Sequence, residues 1–303
     1  MNNQERYLKA KEALALHDIT MAKRLTDQLL KTVPEAVEVQ ILAGSLFART
    51  GDQNRAIQHL QAALESDPEN TEALNNIGVV YKTAGNLTAA VQALEKAIDL
   101  APERADVHYN LANVYKLKGE TDTALSMYQK AVEVNPSFVL AYNNIATLYQ
   151  KENRHGKAIS VLNKGLEHDP NHPTLLYNLG ISYESTGRFD EARDCYARAV
   201  RLKPQWADGL NNLGVAQERA GMHDAAEQTF SMLLKIDPVN TKAKNNIALI
   251  LSKKGRPEEA ELFYRDALST DPRYTRAALN LSSLYQSQED NQAALQTLNS
   301  LPE

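Results

Sequence analysis

One interval governs this chain. Prolines fall at Pro34, Pro68, Pro102, Pro136, Pro170, Pro204, Pro238 and Pro272, eight of the eleven present, each 34 residues after the last. Alanines keep the same step without a miss at Ala22, Ala56, Ala90, Ala124, Ala158, Ala192, Ala226, Ala260 and Ala294. A fixed period of this length overrides the two-domain organisation that 303 residues would otherwise suggest. Each copy must be one supersecondary unit that buries its apolar face only against its neighbours.

Residues 71–104 show what the unit is. Leu74, Ile77, Gly78 and Tyr81 stand at i, i+3, i+4 and i+7, one face of a 3.6-period helix. Gly85 then supplies a residue that turns the chain at positive φ. A second amphipathic run through Ala90, Leu94, Ala97 and Ile98 stops before Pro102, so the spacing predicts an αα-hairpin. Full copies run 37–70, 71–104, 105–138, 139–172, 173–206, 207–240 and 241–274, with a degenerate copy at 3–36 and a partial one at 275–303. This pattern resembles the tetratricopeptide repeat over essentially the whole chain. The resemblance implies an all-α solenoid, a single right-handed superhelical domain over residues 1–303 whose first helices line a concave groove.

Departures within the register carry further expectations. The turn glycine recurs at Gly51, Gly119, Gly187, Gly221 and Gly255, and Asn153, which also tolerates the left-handed region, replaces it once. The small eighth residue (Gly44, Gly78, Ala112, Ala146, Gly180, Gly214, Ala248, Ser282) is expected to face the alanine series of the second helix. Gln217 is the one polar entry at the eleventh place, where Tyr81, Tyr115, Tyr149, Tyr183 and Tyr285 recur, so its repeat is expected to be locally softer. Lys9 and Thr26 in the first copy predict an outward face with little apolar demand. In the last copy Ala293, Leu295 and Leu298 are expected to pack on their own repeat, leaving a flank that a further helix would cover. A chain cut from a longer protein, or a partner at that end, is the expectation there.

Reaction chemistry is not written in this chain. It has no Gly-rich phosphate loop, HExxH, CxxC or GxSxG, and His168 and His172 flank a turn proline rather than one face of a helix. The reading is therefore not an enzyme, with no metal and no cofactor. A net charge of −5 gives no long-range pull toward nucleic acid or anionic membrane, and no apolar run is long enough to span a bilayer. The single cysteine, Cys195, reads as a small packed residue of a reducing, cytoplasmic protein.

Function is expected on the first helices. Their second, fifth, sixth, ninth, twelfth and thirteenth places share a face away from the buried stripe. The sixth place is Asn76, Asn110, Asn144, Asn178, Asn212, Asn246 and Asn280, seven copies without a gap. An amide offers one acceptor and two donors, so such a series can meet the N–H and C=O of a peptide backbone. It resembles the asparagine ladder in the repeat domain of O-linked N-acetylglucosamine transferase. The ninth place adds Val79, Ile181, Val215 and Leu249, an apolar floor on a nominally wet face, with Asn113 at the same place, and the fifth adds Tyr109 and Tyr177. Tyrosines there either contact a ligand or pack on the adjacent first helix. Lys82, Lys116 and Lys151 gather in the first half, Glu184, Asp208 and Glu218 in the middle, and Lys242, Lys253 and Arg276 at the end. The carboxylate clamp by which some relatives hold chaperone C-termini needs lysine and arginine where this chain has Tyr109, Thr174 and Asn178, so only Asn113 and Asn144 match it.

The expected function is a protein–protein interaction scaffold that binds an extended or helical segment of an unidentified partner. The alternatives are the docking arm of a larger enzyme and a scaffold that self-associates through its C-terminal end.

Overall fold

The structure, a computed structural model, describes residues 1–301. Its described residues form eighteen helices and no strand. The chain divides into two compact units, Met1–Leu148 and Tyr149–Glu303, each treated separately below. Unit 1 pairs α1 (Asn3–Ala15) with α2 (Ile19–Thr32), α3 (Val37–Arg49) with α4 (Gln53–Ser66), α5 (Thr71–Thr83) with α6 (Leu87–Leu100), and α7 (Ala105–Lys118) with α8 (Thr121–Val134). The boundary falls inside α9 (Val139–Lys151), which is followed by α10 (His155–His168). Unit 2 continues with the hairpins α11 (Pro173–Ser185) with α12 (Phe189–Leu202), α13 (Ala207–Arg219) with α14 (His223–Ile236), α15 (Thr241–Lys253) with α16 (Pro257–Thr270), and α17 (Thr275–Ser287) with α18 (Asn291–Asn299). The odd-numbered helices are the first helices of the repeats, and each begins at the first residue of its 34-residue copy.

The hairpin turns take the left-handed conformation at all six glycines named above, with φ between 72° and 83°. Asn153 joins them at φ 58°, as its short polar side chain permits. His17 and Glu289 hold the same conformation in the first and last hairpins without the relief that glycine gives, which the sequence pattern did not reveal. Between repeats, Asp67 accepts from Asn70 Nδ2 at 3.0 Å while Asn70 caps α5 through the Ala73 N–H. Asp237 and Asn240 repeat this arrangement ahead of α15.

The core corrects the expected partner of the eighth-place glycines. A Cβ added to Gly44, Gly78, Gly180 or Gly214 would meet Leu60, Leu94, Tyr196 or Phe230 at 2.5–2.6 Å. These are the twenty-fourth places, one turn beyond the alanines, and all four are fully buried. The glycine thus makes room for a large side chain of the second helix to pass beneath the first. Thr26, which occupies that place in the first copy, is buried too and bonds its hydroxyl to the Ala22 carbonyl at 2.8 Å, so only Lys9 faces outward as expected. Gln217 is not an orphan: Thr229 donates to its Oε1 at 2.7 Å. Ala293 and Leu298 are half-buried, but Leu295 points outward, 62% exposed, contrary to the expected packing.

Candidate functional site

The asparagine series is a set of rungs between neighbouring first helices. In unit 1, Asn76 Nδ2 donates to Ser45 Oγ at 3.2 Å, Asn110 Nδ2 to Asn75 Oδ1 at 2.8 Å, and Asn144 Nδ2 to the Tyr109 hydroxyl at 3.1 Å. In unit 2, Asn212 Nδ2 donates to the Tyr177 hydroxyl at 3.1 Å and Asn280 Nδ2 to Asn245 Oδ1 at 2.9 Å. Four of these five bonds join a sixth place to the fifth place of the preceding repeat, 35 residues back. The fifth place of α3 is Ile41, which has no side-chain oxygen, and there Ser45 one turn on supplies the acceptor. All seven asparagines are half-buried. In the free protein the ladder thus ties repeat to repeat.

The fifth place correspondingly lies in the seam between first helices. Asn75 and Asn245 are 7% and 1% exposed. The Tyr109 ring packs 5.1 Å from Phe138 and 5.6 Å from Tyr128, and the Tyr177 ring 4.4 Å from Trp206 and 5.7 Å from Tyr196. Both tyrosines are thus packing residues that also anchor a rung. Asn113 accepts from the buried Tyr128 hydroxyl at 2.6 Å, and burial drives the Tyr128 pKa well above the usual phenol range. In unit 2 the ninth place is the apolar Ile181, and the Tyr196 hydroxyl donates instead to the twelfth-place Glu184 at 3.0 Å.

A rung consumes one N–H of each amide. Asn76, Asn110 and Asn280 keep the second N–H and the carbonyl oxygen without another partner among the described residues. Elsewhere the oxygen is engaged: Asn144 accepts from Lys116, Asn212 from Asn211, and Asn246 from Asn245. The Asn178 backbone carbonyl accepts from Gln150 Nε2 at 2.7 Å. The apolar ninth places Val79, Ile181, Val215 and Leu249 are all half-buried, and Ile181 and Val215 rest on the unit 2 core. In unit 1 a groove of about 480 Å³ brings Asn76, Val79 and Asn110 together with Ser45 and Arg49. Neither Ser45 nor Arg49 was among the residues expected at a site, although Arg49 occupies the thirteenth place of the same face.

Charges on the twelfth and thirteenth places form a second rung at the same 35-residue step. In unit 2, Glu184 pairs with Arg219 at 3.3 Å and Glu218 pairs with Lys253. In unit 1 the charged twelfth places are Lys82 and Lys116, and neither meets a carboxylate among the described residues. Burial, then the charge of Lys116, lowers the Lys82 pKa below the usual lysine value. Two residues outside this face resolve simply. Cys195 is a buried free thiol whose pKa burial pushes up to about 11, and His172 Nδ1 caps α11 by accepting the Leu175 N–H at 3.3 Å.

Family models described as tetratricopeptide repeat match residues 69–137, 138–205, 177–241 and 251–303, and a further TPR repeat model matches 44–85. The chain belongs to the tetratricopeptide repeat family, and its fold is an all-α repeat solenoid. Among solved structures it is similar to YrrB, described as a TPR protein with an unusual peptide-binding site: 26% identity, 62% of this chain and 96% of that one, TM-score 0.57. It is also similar to the C-terminal part of a TPR repeat-containing protein from Cytophaga hutchinsonii (16% identity, 78% of this chain and 97% of that one, TM-score 0.65). A third is pilF of Pseudomonas aeruginosa (18%, 72% and 97%, TM-score 0.59). The last two show the fold alone. No curated protein matches this chain. The repeats and the likeness to YrrB support a protein-interaction scaffold, and no helix among the described residues is long and apolar enough to cross a membrane.

Proposed function

We propose that this protein is a non-catalytic scaffold whose first-helix face holds an extended or helical segment of a partner protein. The observation that carries the reading is the groove of unit 1. There the remaining N–H and carbonyl oxygen of Asn76 and of Asn110 stand beside the apolar Val79 in a depression of about 480 Å³. Such a face reads backbone through the amides and takes a side chain on the apolar floor, the usual mixture at a recognition site. YrrB, similar over most of its own length, is described as having a peptide-binding site. By this reading the partner is a protein rather than nucleic acid, and the compartment is the cytoplasm.

The test is selection of peptides from a random display library on the full chain, followed by titration of the best binder against variants. Asn110→Ala should weaken binding about 2- to 12-fold, the loss of one hydrogen bond worth roughly 0.5–1.5 kcal/mol. Val79→Asp should weaken it more, by placing a charge on the floor. Selected peptides that bind both variants unchanged, or a library that yields no binder, would refute the reading.

A further inference from the structure

We infer that the first-helix face of unit 1 is built for an acidic peptide, with carboxylate side chains received by Lys82 and Lys116. The inference rests on the reading of this face as peptide-binding and specifies the chemistry of the peptide.

Lys82 closes α5 and Lys116 closes α7, each at the twelfth place of its repeat. Lys82 is half-buried, has no hydrogen-bond or ion-pair partner among the described residues, and feels the charge of Lys116. Among the described residues the Lys116 ammonium donates only to the neutral Asn144 Oδ1, at 3.2 Å. The acidic residues of these two helices, Glu72 and Asp106, lie in the first turn, about 15 Å of helix away at 1.5 Å per residue, and Asp106 is already paired with Arg104 at 2.5 Å. A third cation of the same face, Arg49, bonds only the Leu14 carbonyl among the described residues. A desolvated ammonium set beside a like charge opposes folding unless something compensates it. In unit 2 the same rung is compensated internally, by Glu184 with Arg219 and Glu218 with Lys253. In unit 1 no carboxylate among the described residues does this for Lys82 or Lys116, so both ammonium groups stay open to a ligand's carboxylates. Asn76 and Asn110 stand six residues before Lys82 and Lys116 on the same two helices and each keeps one N–H and its carbonyl oxygen, so the same ligand can be held by its backbone while its acidic side chains reach the ammonium groups. An extended strand with acidic residues at alternate positions brings a carboxylate past this face about every 6.6 Å, often enough that one can reach each ammonium group.

The test uses the full chain and a fluorescein-labelled, end-capped peptide of alternating aspartate and valine, roughly ten residues long so that it passes about three repeats. Its asparagine-for-aspartate counterpart and a single-stranded oligothymidylate are run beside it. Anisotropy titration should show the aspartate peptide binding about tenfold tighter than the asparagine peptide at low salt, with the difference shrinking as salt rises. Lys82→Gln with Lys116→Gln should abolish the preference and leave the asparagine peptide unaffected, with the circular dichroism spectrum unchanged. If both peptides bind equally, or the preference survives in the double variant, the inference fails while the peptide-binding reading stands. If neither peptide binds, the inference fails and the peptide-binding reading is decided by the library selection alone. Tighter, lysine-dependent binding of the oligothymidylate than of the aspartate peptide overturns the inference in favour of a nucleic-acid ligand.

Discussion

The two units use one rung geometry for opposite ends. In unit 2 the twelfth places of α11 and α13 are glutamates, and the thirteenth places of the next first helices, Arg219 and Lys253, close on them. In unit 1 the twelfth places of α5 and α7 are lysines, the residue 35 positions after Lys82 is Leu117, and the charges stay open. The amide rung, by contrast, is shared: Asn144 bonds Tyr109 in unit 1 as Asn212 bonds Tyr177 in unit 2. A recurrent amide rung that joins repeats, beside a charged rung closed in unit 2 and open in unit 1, would let an array of near-identical units confine ligand chemistry to part of its length.

The shared rung should show the largest effect if removed. Tyr177→Ala deletes a ring packed on Trp206 and Tyr196 together with the acceptor of Asn212, and should cost about 3–5 kcal/mol in urea unfolding. Tyr109→Ala should cost a similar amount in unit 1. A large disparity between the two would break the claim that the rung is common. Next, Glu218→Lys in unit 2 removes an ion pair and sets two ammonium groups against each other. On a partly exposed rung this should cost about 1 kcal/mol, and less in high salt. The smallest effect has the opposite sign. Lys82→Gln should raise the stability of the free protein by a few tenths of a kcal/mol, because it removes a half-buried, repelled charge. If that variant were clearly destabilised, Lys82 would be structural, and the contrast between units would lose its meaning.

Most of the fold is legible in the sequence because the period fixes it. Helix starts, turn glycines and the left-handed Asn153 all follow from local rules applied every 34 residues. What stays hidden depends on how one helix sits on the next, which within-helix periodicity does not specify. Periodicity alone points the eighth-place glycine at the alanines, whereas it accommodates the twenty-fourth residue. It also puts the ladder asparagines on a wet face, whereas each of the five rungs described spends one N–H on the preceding repeat. A signal for this is present. Tyr109, Tyr177, Asn75 and Asn245, the fifth places that precede these asparagines, all carry an oxygen, and where Ile41 does not, Ser45 replaces it. Thr229 opposite Gln217 is a similar matched pair, visible only once the two helices are packed. The isolation of Lys82 is equally out of reach, since a lone charge is recognised by what surrounds it in space.

The central claim is that ligand lies on the first helices of unit 1, between the amide rung and the open lysines. It is tested most directly by a binding peptide carrying a photoreactive diazirine, crosslinked to the full chain and mapped by mass spectrometry. Crosslinks should concentrate on α3, α5 and α7 around Ser45, Val79, Lys82, Asn110 and Lys116. Crosslinks gathered instead on the second helices, for example at Gln228, Met232 and Lys235 along the open surface of α14, would contradict it.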